Sequence, residues 1–304
     1  MRWNFVMMLA LLSLTFGMCY AHSAEVDELT LRFAQYHESL PVLDGEINLR
    51  LDLAVADANQ FRGCDEDFLL YALKAQFLRP FRGQVEGWAE NNPEVFKQTL
   101  KLSQSIYQDI KIWQNPPVHL GKLGLASVFQ LNGILVGSDK LGHFFDEGFE
   151  EFTRAHKKGG SVDDALQYGV DSEEGFYGLA TTGVNSYGDR VANFNGLRFW
   201  ERALGERALG LGADSPYIVC EAKRWKRGAV FSFADFVDAG WDEAINCSAY
   251  KDADFEAKVN ARIATLEAKF GRPLQCPVDQ EACAGLVVKY GEFASKLLHP
   301  ACLE

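Results

Sequence analysis

The segment from Gly137 to Gly148 groups several acid–base side chains, among them Asp139, His143 and Glu147. If it is a helix, each residue advances by roughly 100°, and polar and apolar residues fall on opposite faces. The polar set is Asp139, His143, Glu147 and Glu150, and the apolar set is Leu141, Phe145, Phe149 and Phe152. This pattern fits an amphipathic helix with a solvated polar face, and it also fits a helix whose polar face lines a cleft.

His143 and Glu147 are four residues apart on this face, so their side chains can touch and change each other's pKa. Glycosidic cleavage needs a carboxylic acid to protonate the leaving oxygen, and often a second carboxylate. We expect a carboxyl group between Phe144 and Phe149 to keep its proton near neutral pH, because burial disfavours the charged form. Glu147 is therefore predicted to be a general acid, with His143 beside it.

Gly142 and Gly148 flank the same face, although each glycine costs a helix up to about 1 kcal/mol relative to alanine. Their presence predicts the close approach of a substrate or of another backbone. Ser138, just before the polar face, is a typical helix N-cap.

A metal-dependent hydrolase using Asp139, His143 and Glu147 is an alternative, because carboxylates and imidazole are metal ligands. These residues span two helical turns, about 12 Å, so an ion would need donors from elsewhere. The spacing also differs from H-E-x-x-H. The leading prediction therefore has no metal and no cofactor.

A second polar block runs from Glu173 to Trp200 and mixes glycines, hydroxyls, amides and aromatic rings. This composition is typical of a sugar-binding surface, and it also fits a tight loop with capped backbone groups. Asp189, Glu173 and Glu174 are candidates for the second carboxylate. The chain has no G-x-S-x-G, P-loop or G-x-G-x-x-G motif, which disfavours those hydrolase and nucleotide-binding classes.

Together the two blocks define the predicted site. The predicted catalytic residues are Glu147, Asp189, Tyr187 and His143. The predicted substrate-binding residues are Asp139, Glu150, Glu173, Glu174, Tyr177, Thr182, Asn193 and Asn195. A non-enzymatic protein that binds envelope glycans through the aromatic block is a further alternative.

The segment from Ser138 to Gly148 and the block from Glu173 to Trp200 resemble the periplasmic lysozymes of predatory bacteria that cut deacetylated peptidoglycan. The resemblance implies a lysozyme-like helical domain, peptidoglycan glycan strands as the partner, and Glu147 as the catalytic acid.

Residues 1–24 have the pattern of a secretory signal peptide, in which Arg2 precedes an apolar run from Phe5 to Met18. That run is shorter than the roughly 20 residues of a membrane span, so we expect no stable insertion after cleavage. The mature chain, residues 25–304, is predicted to be periplasmic or secreted.

Loss of Cys19 with the leader leaves an even set of cysteines: Cys64, Cys220, Cys247, Cys276, Cys283 and Cys302. An even set in an exported chain predicts disulfides, whose pairing the sequence does not determine. The spacing suggests Cys276–Cys283, Cys220–Cys247 and Cys64–Cys302 as one arrangement.

Helical periodicity dominates, so we predict a mainly α fold: one helical lysozyme-like domain with minor β content and a disulfide-tied C-terminal portion. The predicted helices are 65–77, 93–113, one that runs from Ser138 to the glycines at 159–160, one that starts at Ser161, 255–270 and 280–298. Residues 47–55 alternate between apolar and polar, which fits a strand or the start of a helix.

The net charge of the chain indicates which partners it can bind. The formal charge is −12, and loss of Arg2 with the leader makes it −13. This excess of acid argues against nucleic acid, which needs a basic face. Native peptidoglycan is anionic, whereas deacetylated sugars carry ammonium groups, so we expect deacetylated walls to be the better substrate.

Overall fold

The computed structural model describes residues 25–60, 63–78, 83–110, 124–157, 159–175, 178–205 and 215–304. The predicted signal peptide lies outside these residues. The mainly α fold is confirmed. The α-helices are α1 (Glu28–Leu31), α2 (Leu40–Ala58), α3 (Glu66–Phe77), α4 (Gln84–Asn91), α5 (Asp139–Gly142), α6 (Gly148–Phe152), α7 (Val162–Glu174), α8 (Tyr187–Leu204), α9 (Ala253–Phe270), α10 (Gln280–Tyr290), α11 (Ala294–Leu297) and α12 (Pro300–Leu303).

Three predicted helices form close to their predicted bounds because local capping agrees with the apolar pattern. The Asp65 carboxylate accepts from the first backbone amides of α3. Ser161 and Asp164 form a reciprocal capping box at the start of α7. Helix α9 is capped by Asp252 and ends at Gly271, whose φ of 64° suits glycine.

The predicted helix 93–113 is wrong over the residues that the structure describes, which end at 110. A short strand and a 3-10 turn, Leu102–Gln104, occupy this stretch. Contacts with distant residues override the local pattern here. The carboxylate of buried Asp27 accepts from the backbone amide of Ile106 (2.9 Å), and the Lys97 ammonium binds three carbonyl oxygens of the preceding turn.

Residues 47–55 take the helical alternative, inside α2. Ile47 and Leu51 are buried, whereas Leu49 and Leu53 are exposed, which is the three- and four-residue period of a helix that packs on one side. The predicted helix 280–298 is divided by a 3-10 turn at Gly291–Phe293, where Gly291 has a φ of 51°. The helical interpretation holds on either side of that break.

The strands are short, and all are antiparallel. They are β1 (Lys97–Gln98), β2 (Val128–Leu131), β3 (Ile134–Gly137), β4 (Val184–Ser186), β5 (Ile218–Glu221), β6 (Arg224–Arg227) and β7 (Ser248–Tyr250). They form three sheets, ordered β1-β2-β3, β4-β7 and β5-β6. The pairing of β4 with β7 sets Ser186 opposite Ser248, next to the site described below.

The core forms where the long helix that contains α5 and α6 crosses α8. We call this helix the site helix; it runs continuously through residues 139–157, with π-helical turns at His143–Glu147 and Thr153–Lys157. Its inward face packs Phe144 and Phe145 against Phe199 of α8. These rings are fully or almost fully buried, so burial of apolar area fixes the rotation of the site helix.

Three disulfides are present, and their pairing differs from the one suggested by spacing. They are Cys64–Cys220, Cys247–Cys276 and Cys283–Cys302. Two of them tie the C-terminal portion, as predicted, and the other joins the turn before α3 to strand β5. The bonds support an exported protein. No helix among the described residues is long and apolar enough to cross a bilayer.

Candidate functional site

The site helix opens differently from a standard capped helix. Ser138 occupies the N-cap position, but its hydroxyl makes no cap bond and instead donates to the Glu90 carboxylate. Asp139, expected on a solvated face, is only 5% exposed. Glu150 stays exposed further along the helix. The predicted polar face is therefore split between a buried part and a solvated part.

The π turn at His143–Glu147 lies at the centre of the predicted motif. In it, the backbone amide of Gly148 donates to the His143 carbonyl five residues earlier. π turns are rare and recur at functional sites. Trp200 supports this one by donating its indole N–H to the Phe145 carbonyl at 2.9 Å.

Close contact with α8 explains Gly148. A Cβ atom at this position would lie 2.5 Å from the Cα atom of Gly196 and 3.0 Å from the Asn193 carbonyl oxygen. Of the two predicted reasons for this glycine, the approach of another backbone is the one that the structure provides.

His143 is the centre of a hydrogen-bonded and ionic network. Its Nδ1 lies 3.2 Å from Glu147 Oε1 and 3.1 Å from Asn193 Oδ1, and its Nε2 lies 3.3 Å from Asp189 Oδ2. Asn193 also donates to the other oxygen of Glu147, at 3.3 Å. Glu147 is thus held by two neighbours while its side chain keeps 20% of its surface exposed.

Glu173 and Asp189 reach this network from the end of α7 and the start of α8. Glu173 Oε1 lies 4.0 Å from His143 Nδ1, and the Glu173 side chain is 2% exposed. Asp189 follows the N-cap Ser186, whose hydroxyl accepts from the Asp189 amide. Capping therefore fixes the helix start that points this carboxylate at His143.

A fully buried lysine offsets part of the negative charge in the inner part of the site. Lys140 Nζ lies 3.0 Å from Asp139 Oδ2, 2.6 Å from Asp189 Oδ1 and 2.6 Å from Glu243 Oε1. Ser186 and Ser248 donate to the two oxygens of Glu243. Asp189 bridges the two halves of the site, because one of its oxygens faces Lys140 and the other faces His143.

The carboxylates shift the pKa of both cations upward. Burial alone lowers the pKa of His143, but the charges of Asp189 and Glu147 outweigh it and hold that pKa well above its usual range. For Lys140 the carboxylates of Asp139, Asp189 and Glu243 likewise outweigh burial and raise its pKa. Both cations are therefore expected to stay protonated near neutral pH.

Several carboxyl groups behave in the opposite way and resist ionisation. Burial, followed by repulsion from Asp189, raises the pKa of Glu173 well above its usual range. Burial, followed by repulsion from Glu147, does the same for the pKa of Glu151. More acids meet here than the two cations can neutralise, so the site is poised to hold protons or to attract another cation.

The two rings next to Glu147 in sequence do not flank its carboxylate in the expected way. Phe144 packs in the core against Phe199 and Trp241, and Phe149 packs on Trp200. Glu147 itself makes polar contacts with His143 and Asn193. That aromatic burial keeps the proton of Glu147 stays a prediction.

Other predicted site residues take structural positions. Thr182 donates to buried Glu25, and Asn195, with no exposed surface, bonds to the Val191 carbonyl and the Tyr290 hydroxyl. Neither side chain reaches a surface where a sugar can bind. The second block is mainly a piece of the interior, because its amides and glycines serve helix packing.

The remaining predicted residues lie at the edge of the site or away from it. The ring of Tyr187 packs against the Arg190 guanidinium and the His299 ring. Glu174 is half exposed and pairs with Arg190 at 3.3 Å. Tyr177 lies outside the described residues.

Sequence reasoning missed Lys140, Glu243 and Glu151. Lys140 stands beside Asp139 in the motif, and that neighbouring pair of opposite charges was the available signal. Glu243 carries no such signal, because it is 103 residues from Lys140 in sequence. Glu243 also lines a cavity of about 240 Å³ with Glu28, among other residues.

Comparison with known proteins adds no relative: no protein-family model, no curated protein and no solved structure matches the chain. The resemblance to lysozymes of predatory bacteria therefore stays a prediction, and the functional argument rests on the site itself.

Proposed function

We propose that the protein is an exported, lysozyme-like glycan hydrolase that cuts peptidoglycan, with Glu147 as the group that delivers the proton. The observation that supports this most is the position of Glu147. It is the more exposed member of a carboxyl–imidazole pair, and a buried acidic network lies behind it. A proton donor needs this combination of access to substrate and a fixed orientation.

The His143–Glu147 pair supplies the proton in this proposal. The raised pKa of His143 means that the pair carries a proton at neutral pH. Glu147 passes that proton to the glycosidic oxygen as the bond to the leaving sugar breaks. A water molecule attacks the anomeric carbon, and the proton that this water gives up returns to Glu147 and restores the pair. Asn193 donates to Glu147 and fixes its orientation.

Asp189 acts on this pair rather than on the sugar. Its side chain is 9% exposed and engaged by both Lys140 and His143. We assign it the role of holding His143 in place and keeping it charged. In the same proposal Glu173, buried behind His143, supports the imidazole and does not contact the glycan.

Charge supports a substrate that bears amines. The mature chain is strongly acidic, and Glu150, three residues after Glu147 on the site helix, is exposed. Deacetylated sugars offer ammonium groups to such a surface, whereas native walls present carboxylates that it repels. We therefore propose that deacetylated peptidoglycan is the preferred substrate.

Digestion of purified sacculi, native and chemically deacetylated, tests the proposal. We expect soluble fragments with new reducing sugar ends, released faster from deacetylated sacculi. The preference should shrink as salt rises, because exposed charges are screened over about 10 Å at 0.1 M ionic strength. Release of peptides without reducing ends would contradict glycan cleavage, and binding without release would favour a glycan-binding protein. Equal or faster digestion of acetylated walls at low salt would overturn only the substrate preference.

A further inference from the structure

On the His143 side of the site, which we call its outer half, three side chains have the residue types and the mutual distances of a metal-binding set. His143, Glu173 and Asp189 each offer a ligand atom, and these atoms all lie within 4.8 Å of one another. His143 Nε2 and Asp189 Oδ2 are 3.3 Å apart. Two donors at about 2.1 Å from one tetrahedral ion lie roughly 3.4 Å apart, so this pair already has the required spacing.

An unsatisfied oxygen supplies an independent observation. Glu173 Oε1 is buried and has no hydrogen-bond partner among the described residues, and it lies 4.0 Å from the Nδ1 atom of the His143 ring. A buried carboxylate oxygen without a partner costs free energy, which a cation bound beside it would recover.

The inner half of the site shows what such a set looks like when its cation is present. Asp139, Asp189 and Glu243 also bring ligand atoms within 4.8 Å of one another. Lys140 Nζ lies within 3.0 Å of all three residues and so supplies their positive charge. Among the described groups, the outer set has no lysine in this role.

We propose that His143, Glu173 and Asp189 form a binding site for one divalent transition-metal ion, with Zn²⁺ as the best-fitting example. An imidazole nitrogen favours zinc over magnesium or calcium, and carboxylates complete a three-ligand set with a position left for water. His143 is 15% exposed, so an ion can enter from solvent. This set replaces the one suggested by the sequence, because Asp139 is turned towards Lys140.

The inference goes beyond glycan hydrolysis and does not depend on it. A zinc ion on His143 Nε2 takes the place of the proton there, so the zinc-bound form is distinct from the form that supplies the proton in the proposed reaction. Glu147 is not one of the three ligands but contacts His143, so loss of its carboxyl should lower turnover by about 10²–10⁴-fold and zinc affinity by at most about 10–100-fold. Loss of the Glu173 carboxyl should have the larger effect on zinc. The two substitutions therefore separate failure of the metal site from failure of the proposed reaction.

The test is titration of Zn²⁺ into chelator-treated, full-length mature protein without a histidine tag, followed by calorimetry. We expect one zinc per chain with micromolar or tighter affinity. Glu173→Gln should weaken binding by at least about 100-fold, because loss of even an outer partner of a ligand costs 10–100-fold. Asp171→Asn, an exposed carboxylate on the same helix, is the matched control and should bind as the wild type does.

Circular dichroism and the melting temperature show whether each variant is folded, and His143→Gln is a second ligand variant in case Glu173→Gln does not fold. Zinc should raise the melting temperature of the wild type and of Asp171→Asn, but not of a folded ligand variant. The proposal is overturned if the wild type binds no zinc, or if a folded ligand variant binds it with unchanged affinity.

Discussion

At the scale of single residues, the buried carboxyl group of Glu151 makes the stability of the fold depend on pH. Its side chain is 1% exposed, and its Oε2 has no hydrogen-bond partner among the described residues. Burial and repulsion from Glu147 raise its pKa well above the usual 4.5. Folding therefore favours the protonated form of this carboxyl, as it does for Glu173.

The sign of the pH effect follows from that direction. A group whose pKa rises on folding contributes stability that is fully present below its unfolded pKa and is lost as pH rises through its folded pKa. His143, with its raised pKa, acts in the same direction. Stability should therefore decline from mildly acidic towards alkaline pH.

Glu151→Gln should weaken this decline, because glutamine cannot ionise. A tenfold difference in the acid dissociation constant between the folded and unfolded chain corresponds to about 1.4 kcal/mol of stability. Urea unfolding at about pH 5 and about pH 8 measures the effect, and the stability difference between the two should be smaller in the variant. If the stability difference between the two pH values is the same in the variant and in the wild type, ionisation of Glu151 does not destabilise the fold.

At the scale of elements, the crossing of the site helix with α8 holds the site together, and Gly148 permits it. Gly148→Ala would place a Cβ 2.5 Å from the Gly196 Cα, where backbone and not a flexible side chain must move. We expect a loss of about 1–3 kcal/mol, the usual cost of overpacking.

Gly285→Ala is the matched comparison. Gly285 is exposed in α10, and a Cβ there meets nothing within 4 Å. Alanine should stabilise the chain at this position by up to about 1 kcal/mol, through helix propensity alone. Thermal unfolding distinguishes the two, and a neutral Gly148→Ala would contradict the tight crossing.

Elements with local signals were predictable from the sequence. Asp65, Ser161 and Asp252 mark helix starts, and α7 and α9 follow their apolar periods. The failure at 93–113 has a physical cause, because buried Asp27 binds a backbone amide there from far away in sequence. Propensity gives no information about such a contact.

In the site, too, local contacts were predictable from the sequence and long-range contacts were not. His143 and Glu147 are four residues apart on one helix, so their contact was predictable. Asp189 and Glu173 were named as candidate carboxylates, but the sequence contained no distances to His143. Lys140 and Glu243 meet only in three dimensions, and the π turn that changes the helix face leaves no mark in the apolar periodicity.

At the scale of the whole molecule, the disulfides link segments that are far apart in sequence. Cys64–Cys220 closes a separation of 156 residues, whereas Cys283–Cys302 closes 19. Spacing suggested Cys64–Cys302 among its pairs, but the fold brings the turn before α3 next to β5 and pairs Cys64 with Cys220. Peptide mapping of the unreduced protein by mass spectrometry should find Cys64 linked to Cys220, and a Cys64–Cys302 link would contradict the fold.

Removing the long bond should be costly. In the chain-entropy account, opening a loop of this length costs about 5 kcal/mol, against about 3 kcal/mol for the shortest bond. Cys64→Ala with Cys220→Ala should therefore lower the free energy of unfolding by several kcal/mol in urea titrations. A loss below about 1 kcal/mol would show that this bond does not constrain the unfolded chain.

The turnover of Glu147→Gln on deacetylated sacculi tests most directly whether Glu147 delivers the proton for glycan cleavage. Glutamine preserves the shape and the hydrogen bond to Asn193 but cannot donate the proton. Glu292→Gln, an exposed glutamate outside the site, is the control for loss of one charge. We predict that Glu147→Gln keeps its melting temperature and its binding to sacculi, while turnover falls by about 10²–10⁴-fold, the size of general acid catalysis. Near-normal turnover would contradict this role, and a lower melting temperature with activity retained would identify Glu147 as a structural carboxylate.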